Sequence, residues 1–199
     1  KEMVPLCPLG PESIPRDSVE EVILRRGSTR KFALTPISFN ALSTIISSAT
    51  QGIPADFLEG SGIALNDLYL IVNAVEGLAS GTYVYHRERL ALELLKAGEF
   101  RAQSGYLDLG QTLGAEASVN VYFLAELGSI LGRLGNRGYR AAQLEASITA
   151  GKLYLAAYTL GLGATGLTFF DDDVTDFFAP HAKGKSAMFL TSLGKPARR

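Results

Sequence analysis

Arg25-Arg26-Gly27-Ser28-Thr29-Arg30-Lys31-Phe32 is the stretch on which the reading of this chain turns. It follows an amphipathic helix signal, in which Ser18 and Glu21 make a capping-box pair and Val19, Val22 and Ile23 recur at helical spacing. Gly27 is expected at the helix C′ position, where a left-handed backbone suits glycine. The chain should then turn sharply and present hydroxyl and guanidinium groups in a short extended run. Arginine meets phosphate through a planar fork of donors, and serine adds a short hydroxyl donor. The same arginines also suit a solvated helix end facing the negative pole of the helix dipole, and these residues alone favour that plainer account.

Working outward, residues 1–17 are proline-rich and aperiodic and read as an extended arm, loose or draped on a partner, ahead of one domain over 18–199. Phe39 to Ala49 repeats apolar residues at helical spacing, with Ser38 as N-cap. Leu68 to Val72 and Thr82 to Tyr85 read as strands joined by a loop. Glu88 to Lys96 reads as a helix closed by Gly98, Gly105 to Ala117 as a further helix, Val119 to Leu124 as a buried strand, and Glu126 to Leu134 as a weaker helix. Tyr139 to Leu160 is the longest helical signal, roughly 33 Å at 1.5 Å per residue. It is small or apolar around most of its girth, with Arg140, Glu145 and Lys152 as charged exceptions, so it is expected as a buried central helix. Ala187 to Leu193 reads as a last strand. Interspersed helices and short strands give an α+β class.

At 199 residues, 47% hydrophobic and 20% charged, the chain has the composition of one globular domain. A net charge of −1 supplies no field to attract nucleic acid or an anionic membrane. Cys7 is the only cysteine, which excludes an intrachain disulfide and a cysteine zinc cage and agrees with a reducing cytoplasm, the expected location. No signal-peptide pattern or long charge-free apolar run is seen, so no membrane partner is expected.

Some motifs lack their context. Gly161-Leu162-Gly163-Ala164-Thr165-Gly166 matches a dinucleotide fingerprint but follows a long helix instead of joining a strand to a helix. His86 and His181 are too isolated for a metal site. Asp171-Asp172-Asp173 is expected to cap the helix starting near Val174. Arg133, Arg137 and Arg140 form a small basic cluster with no interleaved aromatic beyond Tyr139, unlike a nucleic-acid surface.

Arg26 to Phe32 resembles the R-x-S-x-R/K-x-F signature that opens the flavin nitroreductase family. The resemblance implies a nitroreductase-like fold: a central, mostly antiparallel sheet flanked by helices, a long buried central helix, and a dimer. It implies FMN, with Arg26, Gly27, Ser28 and Arg30 at the phosphate and ribityl chain, assisted by Lys195 or Arg198 from the C-terminus. Gly161 to Phe178 resembles the stretch that passes under the flavin and ends in a Phe-Asp pair, here Phe170-Asp171. Gly166, Leu167, Thr168 and Phe169 would then lie beside the ring, with a backbone N–H of Thr168 or Phe169 donating to flavin N5, the hydride-accepting atom. Ser61 to Asn66 occupies the place of the second flavin segment, and Ser61 and Asn66 are its implied contacts across the dimer interface.

Val72 to Tyr85 follows V-x-x-V-x-G-L-x-x-G-x-Y-x-Y and resembles the SagB-type dehydrogenases of thiazole/oxazole-modified peptide biosynthesis. Gly135 to Arg140 resembles their G-x-R-G-Y-R, which leads into the central helix. Two departures stand out. Arg133 and Leu134 lie where azoline-oxidising members carry a Lys-Tyr pair, and arginine is a poor general base. Ser147 to Lys152 replaces G-H-x-x-Q-N. The resemblance thus implies an FMN-dependent oxidoreductase that passes hydride between a nicotinamide, NAD(P)H, or an organic substrate and N5. The partner would be a second copy or a second nitroreductase-like domain, and the acceptor a small molecule or peptide. The rival reading is a catalytically idle dimerisation or peptide-binding half of a fused modification enzyme, since the chain is also like the second half of tandem members.

Overall fold

In the computed structural model, which describes residues 2–58 and 64–197, β3 (Asn66–Val72) and β7 (Val119–Ala125) form the centre. They pair antiparallel from Asn66 opposite Ala125 to Val72 opposite Val119. Apart from exposed Asp67, both are buried on both faces, which is why Leu68–Val72 and Val119–Leu124 read as apolar runs without alternation. Around them seven of the described strands form one sheet, in the order β1 (Met3–Pro5), β6 (Ala91–Ala97), β5 (Gly81–His86), β3, β7, β9 (Ser186–Gly194) and β8 (Gly163–Gly166). Every neighbouring pair in it is antiparallel. Two short strands, β2 (Ile37–Ser38) and β4 (Val75–Glu76), pair parallel beside it.

Helices cover both faces. α2 (Phe39–Ala49) and α6 (Arg137–Thr159) pack on one, with α5 (Leu127–Leu134) against α6, and Leu42, Ile45, Ile46, Leu70, Phe123 and Leu153 share a core there. On the other, α3 (Arg101–Leu107) and α7 (Asp171–Phe177) contribute Leu107 and Val174 to a second core with Tyr69, Ile71 and Tyr122. The expected α+β class and helix-flanked antiparallel sheet are therefore present. α1 (Val19–Arg25) carries the full capping box of Ser18 and Glu21.

Long-range pairing overturns several local expectations. Glu88 to Lys96 is no helix: Leu90 sits at φ 46, and β6 follows, paired on both sides with β5 and β1. The amphipathic count failed because β6 buries Ala91, Leu92 and Glu93 consecutively between neighbours. Gly105 to Ala117 is split into α3 and α4 (Thr112–Glu116) by a turn with Leu109 at φ 57 and Gly110 at φ 69. The arm is not loose. Met3–Pro5 extends the sheet, and the Cys7 and Leu9 N–H groups donate to the Ser43 and Thr44 hydroxyls of α2 at 3.0 and 2.8 Å.

Two expectations about helix ends also change. α1 ends because Arg26 is extended, at φ −66 and ψ 145, and Gly27 does not take a positive φ. The Asp171–Asp173 side chains do not cap α7; Phe170 is its N-cap, and the acids occupy its first turn, where they favour the positive end of the dipole. α6 is central but not buried all round. Ala142, Ala146, Thr149, Leu153 and Ala157 face the sheet, while Arg140, Leu144, Ser147 and Gly151 form an exposed stripe.

Candidate cofactor site

Three segments converge at the β8 edge. The basic turn lies against β8, the Thr29 N–H donating to the Ala164 carbonyl at 2.9 Å. The C-terminal segment pairs with the turn from its other side: Phe32 bridges Pro196, Ala33 N–H donates to Lys195 O at 2.8 Å, and Ala197 N–H to Lys31 O at 3.0 Å. Gly163 makes this approach possible, because a Cβ there would overlap Thr29 Oγ1 and lie 3.1 Å from the Pro196 ring. Thr29 and Phe32 point inward and are buried, so Arg26, Gly27, Ser28, Arg30 and Lys31 are left exposed.

The turn is also tied to α6. Thr29 Oγ1 is 3.3 Å from Tyr158 Oη, and the Arg26 guanidinium lies 5.4 Å from the centroid of the Tyr154 ring. Tyr154 Oη accepts the Gly166 N–H, so one aromatic side chain connects Arg26 to the end of β8. Arg25 is spent elsewhere, on Asp17 at 2.5 Å and the Tyr158 carbonyl at 3.3 Å. Among the described residues, no carboxylate pairs with Arg26 or Arg30.

Beyond β8 the chain runs from Leu167 to Phe170 without regular structure. Its ends are fixed by Gly166 N–H on Tyr154 and by Phe170 N–H donating to Leu107 O at 2.9 Å. Between them, the N–H groups of Leu167, Thr168 and Phe169 donate to no acceptor among the described residues. Leu167 and Phe169 pack side chains against the second core, while Gly166 and Thr168 are exposed. A row of unspent backbone donors thus extends from a rim of arginine, serine and lysine. A donor set of this kind suits an elongated ligand with an anionic end and a polar flat end.

The structure brings Arg26, Gly27, Ser28, Arg30, Lys195, Gly166, Leu167, Thr168 and Phe169 to this one edge. Asn66 is elsewhere. It is buried, and its Nδ2 donates to Glu145 Oε2 at 2.6 Å and Ala142 O at 2.9 Å. Arg87 lies 3.7 Å from that carboxylate, so Asn66 ties β3 to α6 and does not present a surface contact. Ser61 and Arg198 lie outside the described residues. His86 is paired with Glu93 and His181 with Tyr69, both at 2.8 Å, and no group of metal-ligating side chains forms among the described residues. Sequence reasoning missed Thr29, Tyr154, Tyr158 and Gly163. The only available sign was the Tyr154–Tyr158 spacing of four, which puts both phenols on one helix face.

The architecture is that of α+β proteins built on an antiparallel sheet, with a long helix packed across one face. Within that class the chain belongs to the nitroreductase family, whose model matches residues 23–195. Members of the family are generally FMN-dependent oxidoreductases. The chain is 26% identical over 164 residues to the nitroreductase homologue MJ1384 of Methanocaldococcus jannaschii, covering 79% of this chain and 82% of that protein. A nitroreductase-type structure from Anabaena variabilis superposes with a TM-score of 0.81 at 28% identity, over 90% of this chain. The chain spans only 38% of the length of that protein. The Escherichia coli microcin synthetase McbBCD complex, with truncated pro-MccB17 bound, superposes at a TM-score of 0.74 and 17% identity, over 94% of this chain and 75% of the matched one; at that identity the likeness concerns the fold. Among the described residues, no helix is long and apolar enough to cross a membrane.

Proposed function

We propose that this chain is an FMN-dependent oxidoreductase whose cofactor lies along the β8 edge. The observation that carries the reading is the row of unspent N–H groups at Leu167, Thr168 and Phe169, held between two fixed hydrogen bonds and continuous with an unpaired basic rim. Arg26, Ser28 and Arg30 would hold the phosphate and ribityl end, with Lys195 beside them. Arg26 is pre-positioned by the Tyr154 ring, which lowers the entropy lost on closing around an anion. The backbone donors would orient the ring without an ionisable side chain. FMN supplies a hydride-accepting N5, with NAD(P)H as donor and a small molecule or peptide as acceptor.

The SagB-type assignment rests on the 72–85 and 135–140 signatures, and their residues serve the scaffold. Gly77 sits at φ 85, Gly81 lies against the Lys96 carbonyl, Tyr83 Oη donates to Ala79 O at 2.7 Å, and Gly138 packs on Ile130. They support membership of the subgroup more than retention of its chemistry. Arg133 and Leu134 in place of Lys-Tyr favour a second reading, a catalytically idle half that binds a peptide or a partner domain.

Denaturing the purified protein and chromatographing the released cofactor tests the proposal. FMN is expected. FAD, or no flavin after reconstitution with FMN, would overturn it, and a colourless protein would favour the idle half.

A further inference from the structure

We infer that Gln111 is a positioning residue that fixes the Thr168 region for the flavin ring, and that buried Asp108 anchors Gln111. The inference rests on the FMN reading above. The segment 167–170 has no ladder of its own, so its shape depends on what it is latched to. Gln111 Nε2 lies 3.1 Å from Thr168 Oγ1 and 3.4 Å from Thr168 O, and it also donates to the Asp108 carbonyl at 2.9 Å. With Phe170 N–H on Leu107 O, the α3–α4 corner grips the segment next to its unspent donors.

The corner is itself held from inside. Asp108 is fully buried, and its Oδ1 accepts the Tyr122 hydroxyl of the central strand at 2.6 Å. Its Oδ2 occupies the space that a side chain at position 114 would fill, so Gly114 is needed for α4 to close on it. The Gln111 N–H returns to Asp108 O at 3.2 Å, across the left-handed pair Leu109 and Gly110. The path therefore runs from the sheet centre through Tyr122 and Asp108 to Gln111 and Thr168. A donor fixed where electron density arrives favours the reduced form of a ligand, so a loosened segment should lower the flavin potential.

The test uses the whole chain reconstituted with FMN, comparing wild type with Gln111→Leu and with Gln111→Glu, which keeps length but removes the donor. Oxidised-FMN affinity should stay near wild type, because the phosphate rim is untouched. The preference for reduced over oxidised FMN should fall about tenfold in both variants, which lowers a two-electron midpoint potential by about 30 mV. In the protein without flavin, amide exchange at Phe170, whose N–H is hydrogen-bonded to Leu107 O, should quicken. Wild-type potential and exchange in both variants would overturn the positioning role and leave the FMN reading standing. A wild-type chain that takes up no FMN would sink both. Should the Gln111 variants fail to fold, Thr168→Val removes the hydroxyl acceptor from the other side, and an unchanged potential there counts against the inference.

Discussion

Arg26 is the residue at which the plain and the functional readings of the basic turn part. A solvated helix-end charge would have no fixed neighbour, yet its guanidinium is stacked on Tyr154 with no carboxylate partner among the described residues. Arg26→Ala should weaken FMN binding by about 1.5–3 kcal/mol, the scale of a charge-assisted hydrogen bond. Titration of apoprotein with FMN measures this, and unchanged affinity in a folded variant would return Arg26 to the plain reading. Asp108 makes a separate prediction about stability. Burial raises its carboxyl from 3.8 to about 7, opposed by the Tyr122 hydrogen bond. The folded state therefore holds this proton more tightly than the unfolded chain does. The Asp108 contribution is complete below pH 3.8 and is lost as pH rises to about 7, at up to roughly 1.4 kcal/mol per pH unit. Asp108→Asn, which keeps an acceptor for Tyr122, should flatten that part of the stability profile in urea melts between those limits.

Between elements, the decisive contact is that of β8 with the basic turn. Gly163→Ala would push a methyl into Thr29 and crowd Pro196, costing about 1–3 kcal/mol of stability as overpacking does. Combining it with Thr29→Ala should recover part of the loss, and the non-additivity in a denaturation cycle measures the contact. If the two losses simply add, the glycine is not there to admit the turn. This contact shows where sequence reading stopped. The helices with capping signals and apolar periodicity, Ser18–Arg26 and Phe39–Ala49, were legible because their determinants are local. The buried strands β3, β7 and β9 were legible as apolar runs. β6 was not, because its strand character comes from β1 and β5, residues far away in sequence. The candidate site was legible as two motifs, Arg26–Arg30 and Gly166–Phe169, but the resemblance alone joined them. What joins them physically is Tyr154, Tyr158 and Gly163, which a one-dimensional pattern shows as ordinary helix and turn residues. Asn66 was misplaced for a related reason: its amide satisfies the buried Glu145 carboxylate, a demand visible only after folding.

At the scale of the molecule, one feature of α6 asks for a partner. Its exposed stripe holds Leu144 at 50% exposure, and Tyr139 is equally open at 50%. On α1, Val19, Ile23 and Leu24 are exposed at 55, 52 and 87%. Apolar side chains left open on two helices that pack together near the basic turn suit cover by a second copy or a second nitroreductase-like domain. Arg25 of α1 reaches the Tyr158 carbonyl of α6, which places the exposed apolar side chains of α1 beside the basic turn, so assembly over α1 and flavin retention should be coupled. A dimer that completes the site should lose flavin and fold together on dilution, because each state that binds only the assembled form is stabilised by mass action. Light scattering with and without FMN gives the mass directly, and flavin fluorescence on dilution gives the coupling. Leu144→Glu places a charge in the middle of the stripe and should shift both transitions to higher protein concentration, leaving the far-ultraviolet spectrum of the concentrated protein unchanged. A stable, flavin-saturated monomer would sink the interface and leave the cofactor assignment in place.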